Sequence, residues 1–145
     1  MNFRIRELVE GDLDNGFIET LNTFRDVGAL TSIKKREILK RIKSSPSNKI
    51  FVATNQDGKT IGSATLIIEH KFIHQGGLVG HIEDVVTHKD FRGIGIGTAL
   101  IQQGVNYARN AGCYKVILNC SEENREFYEK LGFKQHAIEM RIDLK

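Results

Sequence analysis

Apolar and polar positions alternate with period two over residues 2–9, where Phe3 and Ile5 stand against Arg4 and Arg6, the pattern of a strand. Glu10-Gly11-Asp12 ends it, and Asp12 is placed to cap a helix running to about Phe24. Thr31 or Ser32 caps a second helix with Ile33, Ile38, Leu39 and Ile42 on its apolar face, and Pro46 closes it. Strand-like runs at 50–54 and 60–69 flank Asn55-Gln56-Asp57-Gly58-Lys59, whose Asp-Gly pair predicts a hairpin. Residues 71–79 read as a loop containing Gly76-Gly77, and residues 80–87 as the next strand. Leu100, Ile101, Val105 and Ala108 recur at helical spacing, so a central helix is expected from about Gly95 to Asn110, stopped by Gly112. Residues 115–120 form a short strand, and Ser121 caps a last helix that Gly132 ends. The tail alternates again, Ile138, Met140, Ile142 and Leu144 against Glu139, Arg141 and Asp143. The order β-α-α-β-β-β-α-β-α-β predicts an α/β fold, a mixed sheet with helices on both faces. Without repeats, low-complexity tracts or linkers, residues 1–145 read as one domain.

Composition narrows the function classes. Hydrophobic residues make up 40% of the chain and charged residues 27%, an ordinary globular balance. The net charge of +3 is small and scattered, so nucleic acid is not an expected partner. The one basic run, Lys34-Lys35-Arg36, falls in a helical stretch and reads as a solvated face. No apolar run has the length of a membrane span and no leader pattern opens the chain, so a cytoplasmic location is expected. Cys113 and Cys120 are too few for a disulfide framework and lack metal-ligand spacing.

The candidate chemistry starts at Phe91-Arg92-Gly93-Ile94-Gly95-Ile96-Gly97-Thr98, where three glycines at alternate positions lead into the central helix. Glycine lets main-chain N–H groups approach a ligand, and a helix N-terminus supplies unpaired N–H groups with a partial positive charge. The combination is a cradle for a phosphate or diphosphate. A P-loop is excluded because no Lys-Ser/Thr pair follows the glycines. A dinucleotide fingerprint is excluded by the spacing, and by Gly112-Cys113 standing where its acidic residue should be.

The remaining pattern, R-G-x-G-x-G, resembles the diphosphate loop of the Gcn5-related N-acetyltransferases. Further blocks narrow the likeness: Gly80-His81-Ile82-Glu83-Asp84-Val85-Val86, Gly112-Cys113-Tyr114-Lys115-Val116-Ile117-Leu118 and Phe127-Tyr128-Glu129-Lys130-Leu131-Gly132-Phe133. Together they are similar to the glucosamine-6-phosphate N-acetyltransferases over nearly the whole chain. The resemblance implies acetyl-CoA as co-substrate, no metal, and transfer of acetyl to the amine of glucosamine 6-phosphate on the route to UDP-N-acetylglucosamine.

It also implies roles. Acetyl-CoA would be held by Val85, Val86, Arg92, Gly93, Ile94, Gly95, Ile96, Gly97, Thr98, Asn124 and Tyr128, with Tyr128 assisting the departing thiolate. Glu83 and Asp84 are the expected catalytic carboxylates, and they also bind the sugar. As strand neighbours they point to opposite faces, so both reach one pocket only through a β-bulge. Arg25, Lys71, His74 and Asn119 complete the implied sugar-phosphate site. Arg25 stands where some relatives carry a threonine, Asn119 where an acidic residue is usual, and Asp143 near the position where some relatives place an arginine on the phosphate, for which Arg141 is the candidate substitute, at an alternate position on the strand. His81, His88 and His136 read as structural or exposed. A homodimer that completes the sugar site is implied as well. Other acceptors (an unphosphorylated amino sugar, an aminoglycoside or a polyamine) and a non-catalytic acyl-CoA-binding regulator remain the competing readings.

Overall fold

The computed structural model describes residues 2–145. The elements are β1 (Arg4–Glu7), a 3-10 turn (Glu10–Asp14), α1 (Phe17–Asn22), α2 (Ser32–Lys43), β2 (Asn48–Thr54), β3 (Thr60–His70), the single turn α3 (Ile73–Gly76), β4 (Leu78–Thr87), a 3-10 turn (Lys89–Phe91), α4 (Ile96–Asn110), β5 (Cys113–Ile117), a 3-10 turn (Glu122–Asn124) and α5 (Arg125–Lys130). The strands form one sheet in the order β1-β2-β3-β4-β5. All pairs are antiparallel except β4 with β5, which run parallel.

One sheet face carries α4. Leu100, Ile101 and Ala108 are buried there with Leu66, Ile68 and Ile82. Leu100 has no exposed surface, and cutting such a side chain back to alanine costs about 3 kcal/mol. Gly62 allows this close seating, because a methyl at that position would lie 2.6 Å from Cγ2 of Ile96. The opposite face packs α1 and α2 through Leu13, Phe17 and Leu39 against Leu8 and Val52. Thr31 caps α2 as expected, its hydroxyl accepting from the Lys34 N–H at 3.1 Å.

Several expectations are corrected. The helix expected from Asp12 to Phe24 divides into a 3-10 turn and the short α1, because Gly16 at φ +97° breaks it. Asp12 is buried against Arg6 instead of capping that helix, with Nη1 to Oδ2 at 2.7 Å and Nη2 to Oδ1 at 2.8 Å. Ile33 stands 65% exposed at the start of α2, off its apolar stripe. β4 begins at Leu78, two residues before the expected start, while β5 occupies 113–117 instead of 115–120. The expected last strand is not formed within the chain. Residues 133–145 adopt no regular element, and Ile138, Met140, Ile142 and Leu144 are each more than four-fifths exposed. Alternation alone does not make a strand unless the segment pairs with an edge.

Candidate active site

Where the sheet opens determines the site. β4 pairs with β5 only as far as His81 opposite Ile117, yet it continues to Thr87. Among the described residues no strand pairs with the β5-facing edge of residues 82–87, about 20 Å of open strand. The bulge required by the two carboxylates lies in this stretch. Glu83 faces Thr65 and Val86 faces Ser63, so Asp84 and Val85 together oppose Ala64. Asp84 adopts φ +50°, unusual for a residue with a side chain. Asp84 lines a cavity of about 330 Å³ beneath α1 and α2, shared with Ser63, Thr65, Lys35, Val27 and Leu30. Glu83 is exposed on the same strand and does not line that cavity, and Val85 packs against the core.

The glycine loop lies just beyond. Gly93 and Gly95 take φ +85° and +92°, which side-chain-bearing residues avoid, and Gly95 caps α4 in the left-handed conformation. Among the described residues, the main-chain N–H groups of Arg92 to Gly97 have no acceptor in the chain, and the helical ladder opens with Ala99 N–H to Gly95 O at 3.0 Å. A run of free donors at the positive end of a fifteen-residue helix fits a diphosphate. Arg92 turns back, its Nε donating to Thr87 O at 3.4 Å.

α5 meets this loop directly, since a methyl at Gly97 would stand 3.5 Å from Cζ of Phe127. The next residue, Tyr128, is half-buried between Phe127 and Phe133, with ring centroids 5.0 and 6.0 Å apart and near-perpendicular planes. Burial, and then the nearby Cys120 thiol, push its phenol above the ordinary value, which favours the protonated hydroxyl. Asn124 begins α5 from the preceding 3-10 turn. Asn119 is exposed in the segment after β5.

The remaining expected residues divide. Arg25 follows α1, with its guanidinium carbon 5.4 Å from the Phe24 ring centroid, in the loop that sends Val27 and Leu30 to the Asp84 cavity. Lys71 and His74 do not join this group in one chain. The Lys71 N–H donates to Gly77 O at 2.9 Å, and the seven steps from Leu78 to Val85 put it about 23 Å along the strand from the bulge. His74, at φ +53°, stacks on Tyr114 with centroids 4.0 Å apart. Sequence reading missed the carboxylate that organises this end: Glu69 meets Lys71 Nζ at 3.0 Å and His81 Nε2 at 2.9 Å. These contacts, His81 first, hold its carboxyl below the usual range. Glu69 and His81 lie on adjacent strands, and only the β3–β4 register, not spacing along the chain, reveals that they meet.

Comparison with known proteins shows the family. Residues 17–133 match the family model described as acetyltransferase (GNAT) family. The chain belongs to this acetyltransferase family. A glucosamine 6-phosphate N-acetyltransferase of Trypanosoma brucei brucei is 40% identical over 99% of this chain and 97% of its own length. The Candida albicans enzyme of the same name is 38% identical, over 95% and 93% respectively. The crystal structure of glucosamine-6-phosphate N-acetyltransferase from Arabidopsis thaliana superposes with a TM-score of 0.96 at 35% identity, covering both chains completely. The acetyltransferase uses acetyl-CoA as co-substrate, and its open β4 edge and unpaired glycine-loop amides suit that ligand. Among the described residues no cluster of His, Cys, Asp and Glu could hold a metal ion. No described helix is long and apolar enough to cross a membrane.

Proposed function

We propose that this chain transfers the acetyl group of acetyl-CoA to the amine of glucosamine 6-phosphate, releasing N-acetylglucosamine 6-phosphate and CoA. The observation that carries the reading is the bulge at Asp84 and Val85, set between the open β4 edge and the unpaired amides that start α4. Relatives bearing this activity's name, alike along nearly their whole length, support the acceptor.

In this reading the amides of Arg92 to Gly97 and the Thr98 hydroxyl hold the diphosphate, and Arg92 and Asn124 flank it. The pantetheine arm adds like a strand to the open edge at Val85 and Val86. The Val85 N–H meets the thioester oxygen as negative charge grows there, an effect worth about 3–4 kcal/mol of barrier. The acceptor amine, like an α-amino group of pKa about 8, is partly neutral near pH 7. Glu83 and Asp84 therefore need only orient it and take one proton while the C–N bond forms. As the C–S bond breaks, Tyr128 donates a hydrogen bond to the leaving sulfur, which departs as the thiolate and takes its proton from solvent. Asp84 and Glu83 also bind sugar hydroxyls, with Arg25 and Asn119 at the rim.

Lys71 and His74 reach the same sugar from a second copy. The apolar alternation at 138–144 and the exposed Ile67 and Ile117, which flank His81 on the sheet, supply a surface for that copy. A homodimer thus completes the phosphate subsite. One domain carries the activity, and two free cysteines suit the reducing cytoplasm. Thiol release from acetyl-CoA is to be measured with glucosamine 6-phosphate, glucosamine and spermidine. The phosphorylated sugar is expected to have a kcat/KM at least tenfold above the others. Equal rates for the two sugars, or a preference for spermidine, overturn the acceptor assignment.

A further inference from the structure

His88 lies just past β4, where the chain leaves the sheet for the glycine loop, and it is 5% exposed. Its main-chain N–H donates to Ile61 O at 2.8 Å, and its carbonyl accepts from the Phe91 N–H at 2.9 Å. Its imidazole Nδ1 accepts from the Asp90 N–H at 3.2 Å. That bond places the ring proton on Nε2, which lies 3.2 Å from Oε1 of Glu19 on α1. Glu19 is held in turn by Lys59 at 2.9 Å, and its carboxyl lies below the usual range, owing first to that lysine. The ring also meets Phe91 edge-on at 5.6 Å, and Phe91 packs against the core. One side chain therefore fixes the 3-10 turn that leads into the loop and ties that turn to α1, whose Phe17, Ile18 and Leu21 line the cavity containing Asp84.

We propose that His88 is the positioning residue of the acetyl-CoA loop, acting through Asp90 and Glu19 rather than by touching the ligand. It rests on the diphosphate being bound at Arg92 to Gly97. A loop with two left-handed glycines is free to sample many shapes, and each shape other than the bound one weakens binding. The buried imidazole removes part of that freedom beforehand.

The test compares CoA affinity by calorimetry, acetyl-CoA KM and kcat, and thermal stability for wild type, His88→Ala, His88→Asn, Glu19→Ala and Lys59→Met. His88→Ala is expected to weaken CoA binding and raise the acetyl-CoA KM by roughly tenfold, with kcat changing less than about twofold. His88→Asn keeps an acceptor for the Asp90 N–H and recovers most of the affinity, while Glu19→Ala shows an intermediate loss. Lys59→Met, which removes the ion pair that holds Glu19, loses no more affinity than Glu19→Ala does. Should His88→Ala lower thermal stability while both His88→Asn and Glu19→Ala keep wild-type CoA affinity, His88 is only a packing residue and the proposal fails. Absence of CoA binding by the wild type sinks instead the loop assignment on which it rests.

Discussion

The ammonium of Lys71 lies 3.0 Å from Oε2 of Glu69, at the end of the sheet remote from the bulge that holds Asp84. A hexose phosphate is less than half as long as the roughly 23 Å between those ends. Lys71 and Asp84 can therefore share one sugar only if they come from different subunits. In a two-fold dimer each site then combines Tyr128 of one chain with Lys71 of the other. Neither Lys71→Ala nor Tyr128→Phe alone should sustain efficient turnover of glucosamine 6-phosphate. Co-expression of the two variants should restore about a quarter of wild-type activity, since half the dimers are mixed and each mixed dimer has one intact site. Activity no higher than that of the two parents would show that the site lies within one chain.

Tyr128→Phe isolates the leaving-group step. The ring is packed between Phe127 and Phe133, so removing one oxygen should leave the fold in place. We expect kcat to fall by roughly tenfold to a hundredfold with little change in acetyl-CoA KM, as for loss of a hydrogen-bond donor to charge that grows in the transition state. Burial raises the phenol pKa, so the folded protein favours the protonated form. Its contribution to stability is present at neutral pH and is lost only as pH rises above the ordinary phenol value of about 10. The alkaline limb of kcat should accordingly lie no lower than that. Unchanged turnover in the variant removes Tyr128 from the reaction.

Gly95→Ala tests the loop's backbone. Open space surrounds the new methyl, so the effect comes from φ +92° alone. Holding alanine in the left-handed region costs about 1 kcal/mol, and escape from it turns the cradle amides away from the diphosphate. Acetyl-CoA KM should rise several-fold or more while kcat at saturation changes little. A wild-type KM would mean that this conformation is not the one that binds.

The loop was legible in the sequence because its causes are local: glycines, one arginine and the start of a helix lie within a few residues. The bulge was legible as a condition, since adjacent Glu83 and Asp84 could reach one site only through an interrupted strand; the register shift is there, and of the two Asp84 alone lines the cavity. Contacts made by long-range pairing were not. Asp12 has the local marks of a helix cap, but Arg6 satisfies it from the preceding strand. The His88 latch reaches Glu19 across 69 positions of sequence. Glu69, Lys71 and His81 meet only through the β3–β4 register. The tail shows the opposite case, a strand pattern that forms no strand within the chain.

Asp12 governs the acid side of stability. Burial opposes its charge, but the Arg6 guanidinium and the Val9 N–H, which donates to Oδ2 at 2.9 Å, more than compensate and hold the carboxyl below its usual range. A lowered folded pKa means the contribution is complete above the unfolded value of about 3.9 and is lost as pH falls below it. Asp12→Asn should remove about 2 kcal/mol at pH 7 and flatten the decline of stability between about pH 4 and 2. Thermal melts across that range check both. An acid limb identical to that of the wild type would show that other carboxylates set it.

Deletion of residues 136–145 examines the tail. Four apolar side chains more than four-fifths exposed in succession are costly in water, and β5 offers an unpaired outer edge on which a second chain could seat them. Burying them recovers about 1.5–3 kcal/mol per side chain before the entropy of ordering the segment is subtracted. The full chain should therefore sediment as a dimer and the truncated one as a monomer. CoA binding should survive truncation, because the glycine loop and the open β4 edge are built without the tail. Turnover of glucosamine 6-phosphate should collapse, since the partner's Lys71 and His74 are then out of reach. A truncated chain that remains dimeric and fully active would place the interface elsewhere.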